Sequence, residues 1–257
     1  MERADRAAVA TFHAPGLASA AGRITLGEDS AHHARVRRLA VGEPVRLTDG
    51  AGTLALGRIE RLAKGAMEVA LDADSRRRVP RPAPIHLLVP VGDRDRMLWL
   101  AEKSAELGVT TWVPVVWARS RSVSPRGEGA AFHEKVERRM VAALEQSAGG
   151  WLPQVERELS PVDAAARFGE AHRVLLDAGG APLPPMLADA DAVAIALGPE
   201  GGLESGEQAL LRDAGWRRAA LAPSVLRFET AAIAAVAVAR ASWLERDAES
   251  NGSTGGR

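Results

Sequence analysis

The 257-residue chain is 46% hydrophobic and 26% charged, the profile of a soluble globular protein with room for one large or two modest domains. Its 33 Lys/Arg balance 33 Asp/Glu, so no global charge excess marks a polyanionic partner and any nucleic-acid surface must be a local patch. Cysteine is absent, which excludes disulfides, thiolate metal sites and cysteine nucleophiles.

The N-terminal MERADRAAVATFHAPG places Glu2, Asp5 and Arg6 where a signal peptide needs an unbroken apolar stretch, so secretion is not expected and a cytoplasmic location is. Short alternating runs punctuated by glycine follow: Gly22–Leu26, Val45–Thr48, Thr53–Leu56 and Met67–Leu71, with an Asp49-Gly50 turn between two of them. They predict a small β-barrel over residues 1–78. That stretch has a net charge of +3 against −3 for the remainder, which favours RNA contact at the small domain. Prolines and arginines in Ser75–Pro84 suit neither a helix nor a central strand, so the domain boundary is placed there, between residues 78 and 79.

Beyond the seam, unbroken apolar strands alternate with helical patterns: Ile85–Val91, helix Arg94–Leu107, Trp112–Trp117, helix Phe132–Gln146, Arg173–Leu176, Val193–Leu197, helix Ser205–Ala214, Arg218–Leu221 and helix Glu229–Leu244. This order predicts an α/β domain over 79–247, a mostly parallel sheet with helices on both faces. Ser160-Pro161 reads as an N-cap and first helical residue, Ser205 with Gln208 as a capping box, and Gly108 and Gly215 as helix-closing glycines. Thr230–Ala239 is too short and too interrupted at Arg240 to span a bilayer, and no membrane association is expected. Residues 248–257, polar and Gly/Ser-rich, are expected to be a disordered tail.

Two strand-to-helix loops stand out. Leu197-Gly-Pro-Glu-Gly-Gly202 is rigid and poor in side chains, so its backbone can approach a flat ligand, although the same residues would serve a plain tight turn. Neither Gly-x-Gly-x-x-Gly nor a P-loop pattern is present, which disfavours a nucleotide-dependent oxidoreductase and a triphosphate site. Leu221-Ala-Pro-Ser-Val-Leu-Arg-Phe-Glu-Thr-Ala231 leaves a second strand, and its Arg227 and Glu229 suit either a functional role or an internal salt bridge. The six histidines have no metal-ligand spacing, so no metal is expected. Lys103 reads as a surface pair with Glu106 or as an RNA contact.

Gly-Pro-Glu-Gly-Gly, then a helix, then Leu-x-Pro-x-x-Leu-Arg-x-Glu-Thr-Ala together resemble the signature of the bacterial ribosomal small-subunit RNA (uracil-N3)-methyltransferases, RsmE, of the SPOUT trefoil-knotted superfamily. Asp93-Arg-x-x-Met97, Glu102-Lys-Ser-x-Glu-Leu-Gly108, Arg119-Ser120 and Glu145-Gln-Ser147 extend the likeness, and His32-His-x-x-Val36, Arg38-Leu39, Gly42-Glu43 and Asp49-Gly50 resemble the family's PUA-like domain. The resemblance implies a knotted C-terminal domain that binds S-adenosyl-L-methionine, an RNA-binding PUA-like domain, a 16S ribosomal RNA substrate methylated at uracil N3, and a homodimer. For the dimer, the small apolar residues on almost every face of helix 229–240 give independent support. The cofactor set it implies is Leu176, Leu197, Gly198, Pro199, Glu200, Gly201, Gly202, Leu221, Ala222, Pro223, Val225, Leu226 and Thr230. Arg227 and Glu229 are the implied catalytic residues, and His33, Arg37, Arg38, Arg94, Lys103 and Arg119 the implied RNA contacts. Ala222, Ser224, Phe228 and Gly149-Gly150 depart from the family's usual residues, and a catalytically silent RNA-binding assembly factor is the competing reading.

Overall fold

The computed structural model describes residues 8–122 and 126–253, with backbone alone at 121–122 and 245–253. The chain divides into two compact units, one of Met1–Arg81 with Val141–Leu152, the other of Pro82–Met140 with Pro153–Arg257. The return of 141–152 to the first unit was not visible in the sequence, because the helical pattern from Phe132 onward carries no break where its packing partners change.

In the first unit, β1 (Thr11–His13), β3 (Pro44–Thr48), β4 (Thr53–Leu62), β5 (Met67–Leu71) and β2 (Arg23–Leu26) lie side by side in that order, with β6 (Arg77–Arg78) paired to β4. Only β1 with β3 is parallel; the other pairs are antiparallel. The β3–β4 turn closes because the Asp49 carboxylate accepts from the backbone N–H groups of Ala51 and Thr53, each at 2.8 Å, while Gly50 takes φ +69°. Phe12, Leu17, Val45, Leu47, Ile59 and Met67 are fully enclosed in the core. Helix α1 (Glu28–Val36), absent from the sequence reading, buries only Ala31 and Ala34 on this core. Two small residues leave too weak an apolar stripe to announce a helix.

The second unit is a parallel sheet in the order β12 (Arg217–Ala220), β10 (His172–Pro182), β11 (Val193–Ala196), β7 (Ile85–Pro90), β8 (Thr111–Val115), β9 (Gln154–Val155). Alternation along the strands separates two cores. Leu88, Val113, Leu175 and Ala196 face α4 (Pro161–Ala166) and α6 (Ser205–Asp213). The opposite face carries α2 (Arg94–Glu106), α5 (Leu183–Leu187) and α7 (Phe228–Ser253), with α7 packed on β7 and on both other helices. Helix α3 (Ala130–Ser147) belongs to this unit as far as Met140 and to the first unit from Val141 on.

Ser160 caps α4 as expected, accepting from the Asp163 N–H at 3.2 Å. The capping box of α6 sits one residue earlier than expected, on Glu204 and Glu207. Glu207 is held there because its two oxygens accept from the N–H groups of Glu204, at 2.9 Å, and Ala118, at 2.8 Å. Helix α7 runs on to Ser253, so residues 248–253, expected as disordered tail, are helical; Thr254–Arg257 and the N-terminal Glu2, Asp5 and Arg6 lie outside the described residues. Extending a formed helix adds a hydrogen bond per residue without a new nucleation cost, so polar residues follow it.

Arg240, on α7, ties three elements together. It donates to the carbonyls of Leu107 (3.0 Å), Ala83 (2.6 Å) and Gly108, closing the end of α2, and its guanidinium lies 5.5 Å from the Trp243 ring centroid. Burial pushes its pKa down to about 10. Arg240→Met, which leaves those carbonyls without donors, is expected to cost about 3 kcal/mol and lower the melting temperature by roughly 6–12 °C. An unchanged melting temperature would show that solvent replaces the guanidinium.

Candidate active site

The loops at the C-terminal ends of β10, β11 and β12 enclose a cavity of about 410 Å³. This is the edge at which open parallel sheets bind ligands. Trp117, buried, donates from Nε1 to the Leu197 carbonyl at 2.9 Å, and the Leu197 N–H donates to Leu88 at 3.1 Å, so the end of β11 is fixed from both sides. The chain then turns through Gly198–Gly202, closed by the Gly202 N–H on the Pro199 carbonyl at 2.7 Å with Gly202 at φ +72°, a conformation that favours glycine.

Of the expected cofactor set, Leu176, Leu197, Gly198, Pro199, Glu200, Gly202, Leu221, Ala222, Val225 and Leu226 line the cavity. Gly201, Pro223 and Thr230 do not. Gly201 is exposed; an added Cβ there would stand 3.2 Å from Arg119 Cδ, and its carbonyl accepts from Arg119 Nη1. Pro223 and Thr230 point to solvent. Arg119, expected as an RNA contact, is itself a cavity residue. Asp177 also lines it, at the start of the loop that the family resemblance implies as a third cofactor contact, and so do Ala178, Gln208, Phe228 and Ala231, which the expected set left out.

Arg227 is exposed, and its guanidinium makes no hydrogen bond or ion pair with another described residue, although its neighbours Leu226 and Phe228 both line the cavity. The internal Arg227–Glu229 salt bridge allowed by the sequence does not form. Residues two apart at a helix start point in different directions, and Glu229 turns inward to 9% exposure. There it meets Arg96 of α2, whose Nε is 3.8 Å from Glu229 Oε1 and whose Nη1 is 3.1 Å from Glu200 Oε1. One guanidinium thus links α2, the Gly-Pro-Glu-Gly-Gly loop and α7. Glu229 Oε2 is buried without a hydrogen-bond partner.

On the other wall, Asp177 Oδ1 accepts from Arg218 Nη2 at 2.6 Å and from the Gly179 N–H at 2.8 Å. The Arg218 hydrogen bond holds the Asp177 carboxyl below its ordinary pKa. A depressed folded-state pKa stabilises the fold above the unfolded value and is lost as pH falls through the folded one. Acid unfolding of Arg218→Ala is therefore expected at higher pH than wild type, with the two converging once Asp177 is protonated in both; identical acid transitions would contradict the pairing.

The expected RNA contacts divide by their neighbours. Lys103 Nζ is held by Glu102 at 2.8 Å and Glu106 at 2.7 Å, as the surface-pair reading had it. In the first unit His33 Nδ1 lies 3.2 Å from Glu145 Oε2, with its ring edge-on to Phe12, and its side chain stays 37% exposed. Arg37 and Arg38 are exposed. Arg94 is half-buried over the Phe132 ring at 5.9 Å.

The model of an RNA methyltransferase domain matches residues 79–240, and that of an RNA methyltransferase PUA domain matches residues 26–72. The ribosomal RNA small subunit methyltransferase E of Mycobacterium bovis is 30% identical over 231 residues, covering 84% of this chain and 86% of that protein; the Aquifex aeolicus protein of the same name is 26% identical, covering 84% and 93%. A crystal structure of the Neisseria gonorrhoeae ribosomal RNA small subunit methyltransferase E bound to S-adenosyl methionine superimposes with a TM-score of 0.79 at 25% identity, covering 90% of this chain and 97% of that one. A parallel sheet with a ligand cavity at its C-terminal edge, a curled β-domain before it, and the match of both family models make this chain a member of the ribosomal RNA small subunit methyltransferase E family, with its SPOUT trefoil-knotted fold.

Proposed function

We propose that this protein transfers a methyl group from S-adenosyl-L-methionine to N3 of a uridine in 16S ribosomal RNA of the small subunit, in the cytoplasm. The observation that carries the reading is the cavity bounded by both signature loops, with Arg227 free between two of its lining residues. The residues fit the cofactor. A volume of about 410 Å³ falls in the ordinary range for ligands of that size. Leucines 175, 176, 197, 203, 221 and 226 suit a flat purine, and Asp177 and Glu200 offer acceptors.

The cofactor supplies a methyl group on a sulfonium. What the chain adds is alignment and electrostatics. Arg227, unencumbered by an internal partner, holds an RNA phosphate or a uracil oxygen beside the cavity and favours the anionic form of the base. Glu229 supports the reaction through Arg96, which it helps to hold against Glu200; its free oxygen is enclosed. Arg37, Arg38, Arg94 and Arg119 supply cationic contacts to RNA, each within its own unit.

The resemblance also supports a homodimer. Helix α7 buries Ala232, Ala235, Val236, Ala239 and Trp243, yet Ala237, Ala241 and Leu244 remain exposed, as does Trp99 on α2 at 47%. Solution scattering is expected to give about twice 27.1 kDa at micromolar concentration, and a monomer would contradict the dimer. Among the described residues no helix is long and apolar enough to cross a membrane. Nucleoside mass spectrometry of ribosomal RNA from cells with and without the protein tests the activity: loss of one 3-methyluridine from 16S RNA supports it, and an unchanged nucleoside profile overturns it.

A further inference from the structure

Between Leu176 and Ala181 strand β10 breaks register: both residues pair with Ala219 of β12, and residues 177–180 loop out between them. The excursion is built, not slack. An added Cβ at Gly180 would lie 2.5 Å from the Ala219 backbone nitrogen, so the loop closes tightly on β12. Its Asx turn is drawn in by the Gly179 N–H, and Arg218 anchors it from the neighbouring strand. The result is a carboxylate with fixed orientation in the wall of the cavity.

Both bonds to Asp177 fall on Oδ1, which leaves Oδ2 without a donor among the described residues. The other ionised residues of the wall are engaged: Glu200 with Arg96, and Arg119 with the Gly201 carbonyl. We propose that Asp177 anchors the ribose of the cofactor by accepting hydrogen bonds from its 2′ and 3′ hydroxyls. A vicinal diol presents two neutral donors to one carboxylate, and such charge-assisted bonds are short and strong. The ligand's α-ammonium is the weaker occupant, because Arg218 already offsets the charge of Asp177 and an ion pair would gain little. The adenine suits the leucine walls. Asp177 is thus a specificity residue: it distinguishes a ribonucleoside ligand from its deoxy counterpart. The inference rests on the cofactor reading above and adds the position of the sugar.

Calorimetry with S-adenosylhomocysteine, its 2′,3′-dideoxy analogue and 5′-methylthioadenosine tests it on the full chain. Wild type is expected to bind the parent at least tenfold more tightly than the dideoxy analogue, whereas Asp177→Ala binds the two alike. Asp177→Asn, which keeps the shape and one acceptor, falls between. Because each comparison is a ratio within one protein, a general weakening of the variant does not imitate the result. The same parent-to-dideoxy ratio in wild type and Asp177→Ala would overturn the assignment. So would an Asp177→Ala defect that disappears with methylthioadenosine, since that ligand keeps the ribose and lacks the ammonium. Failure of wild type to bind the parent at all would overturn the cofactor reading itself, and the sugar assignment with it.

Discussion

Arg227→Ala is expected to lower the single-turnover rate of methyl transfer by about a hundredfold while leaving cofactor affinity and melting temperature near wild type. The sequence allowed a competing forecast, in which Arg227 and Glu229 form a buried pair and breaking it unfolds the protein. The structure removes that alternative: Arg227 is exposed, Glu229 is turned inward, and the carboxylate meets Arg96 instead. A guanidinium with no structural partner has no fold to support, so any large effect of its removal belongs to substrate or transition state. Arg227→Lys keeps the charge but loses the planar fork and is expected to recover only part of the rate. An unchanged rate in stably folded Arg227→Ala would sink the assignment, and a large fall in melting temperature would mean that the side chain has a structural partner after all.

Arg96→Ala should act in the opposite way, on the fold and the cofactor loop together. Removing the guanidinium leaves Glu229 buried and uncompensated at the start of α7 and frees Glu200 in the cavity wall. Breaking a fully buried pair costs about 3–5 kcal/mol. Here Arg96 is 34% exposed and the Glu229 contact is 3.8 Å, so about 2 kcal/mol is a better expectation, a fall of roughly 4–8 °C. Cofactor affinity should fall as well, because Arg96 holds the loop that carries Glu200. The discriminating measurement is a double-mutant cycle. Adding Glu229→Gln to Arg96→Ala removes the stranded charge and should restore most of the lost stability. Strict additivity of the two substitutions would show that Arg96 and Glu229 do not couple.

The parts of this protein that were legible in its sequence are those in which local pattern and tertiary role agree. Unbroken strands such as Val193–Leu197 read as buried parallel strands, and both glycine- and proline-rich loops stood out because few residues permit their backbone. What escaped depends on partners distant in sequence. Helix α1 is invisible because Ala31 and Ala34 are its only buried residues. The pairing of Glu229 with Arg96 spans more than 130 residues, so the nearer Arg227 looked the natural partner. The excursion at Asp177–Gly180 arises from pairing with β12, some 40 residues on. The contact of His33 with Glu145 likewise joins residues more than a hundred positions apart, which no local pattern announces.

The central claim is that the cavity between the two signature loops serves methyl transfer to a uridine N3. Purified protein, small ribosomal subunits lacking the modification and methyl-labelled S-adenosyl-L-methionine test it most directly, with wild type and Arg227→Ala compared after digestion of the RNA to nucleosides. Label in 3-methyluridine of 16S RNA with wild type, and about a hundredfold less initial rate with the variant, is the predicted result. Cofactor binding with no label in RNA would instead identify a silent RNA-binding factor, and label in any other nucleoside would contradict the assigned base and atom.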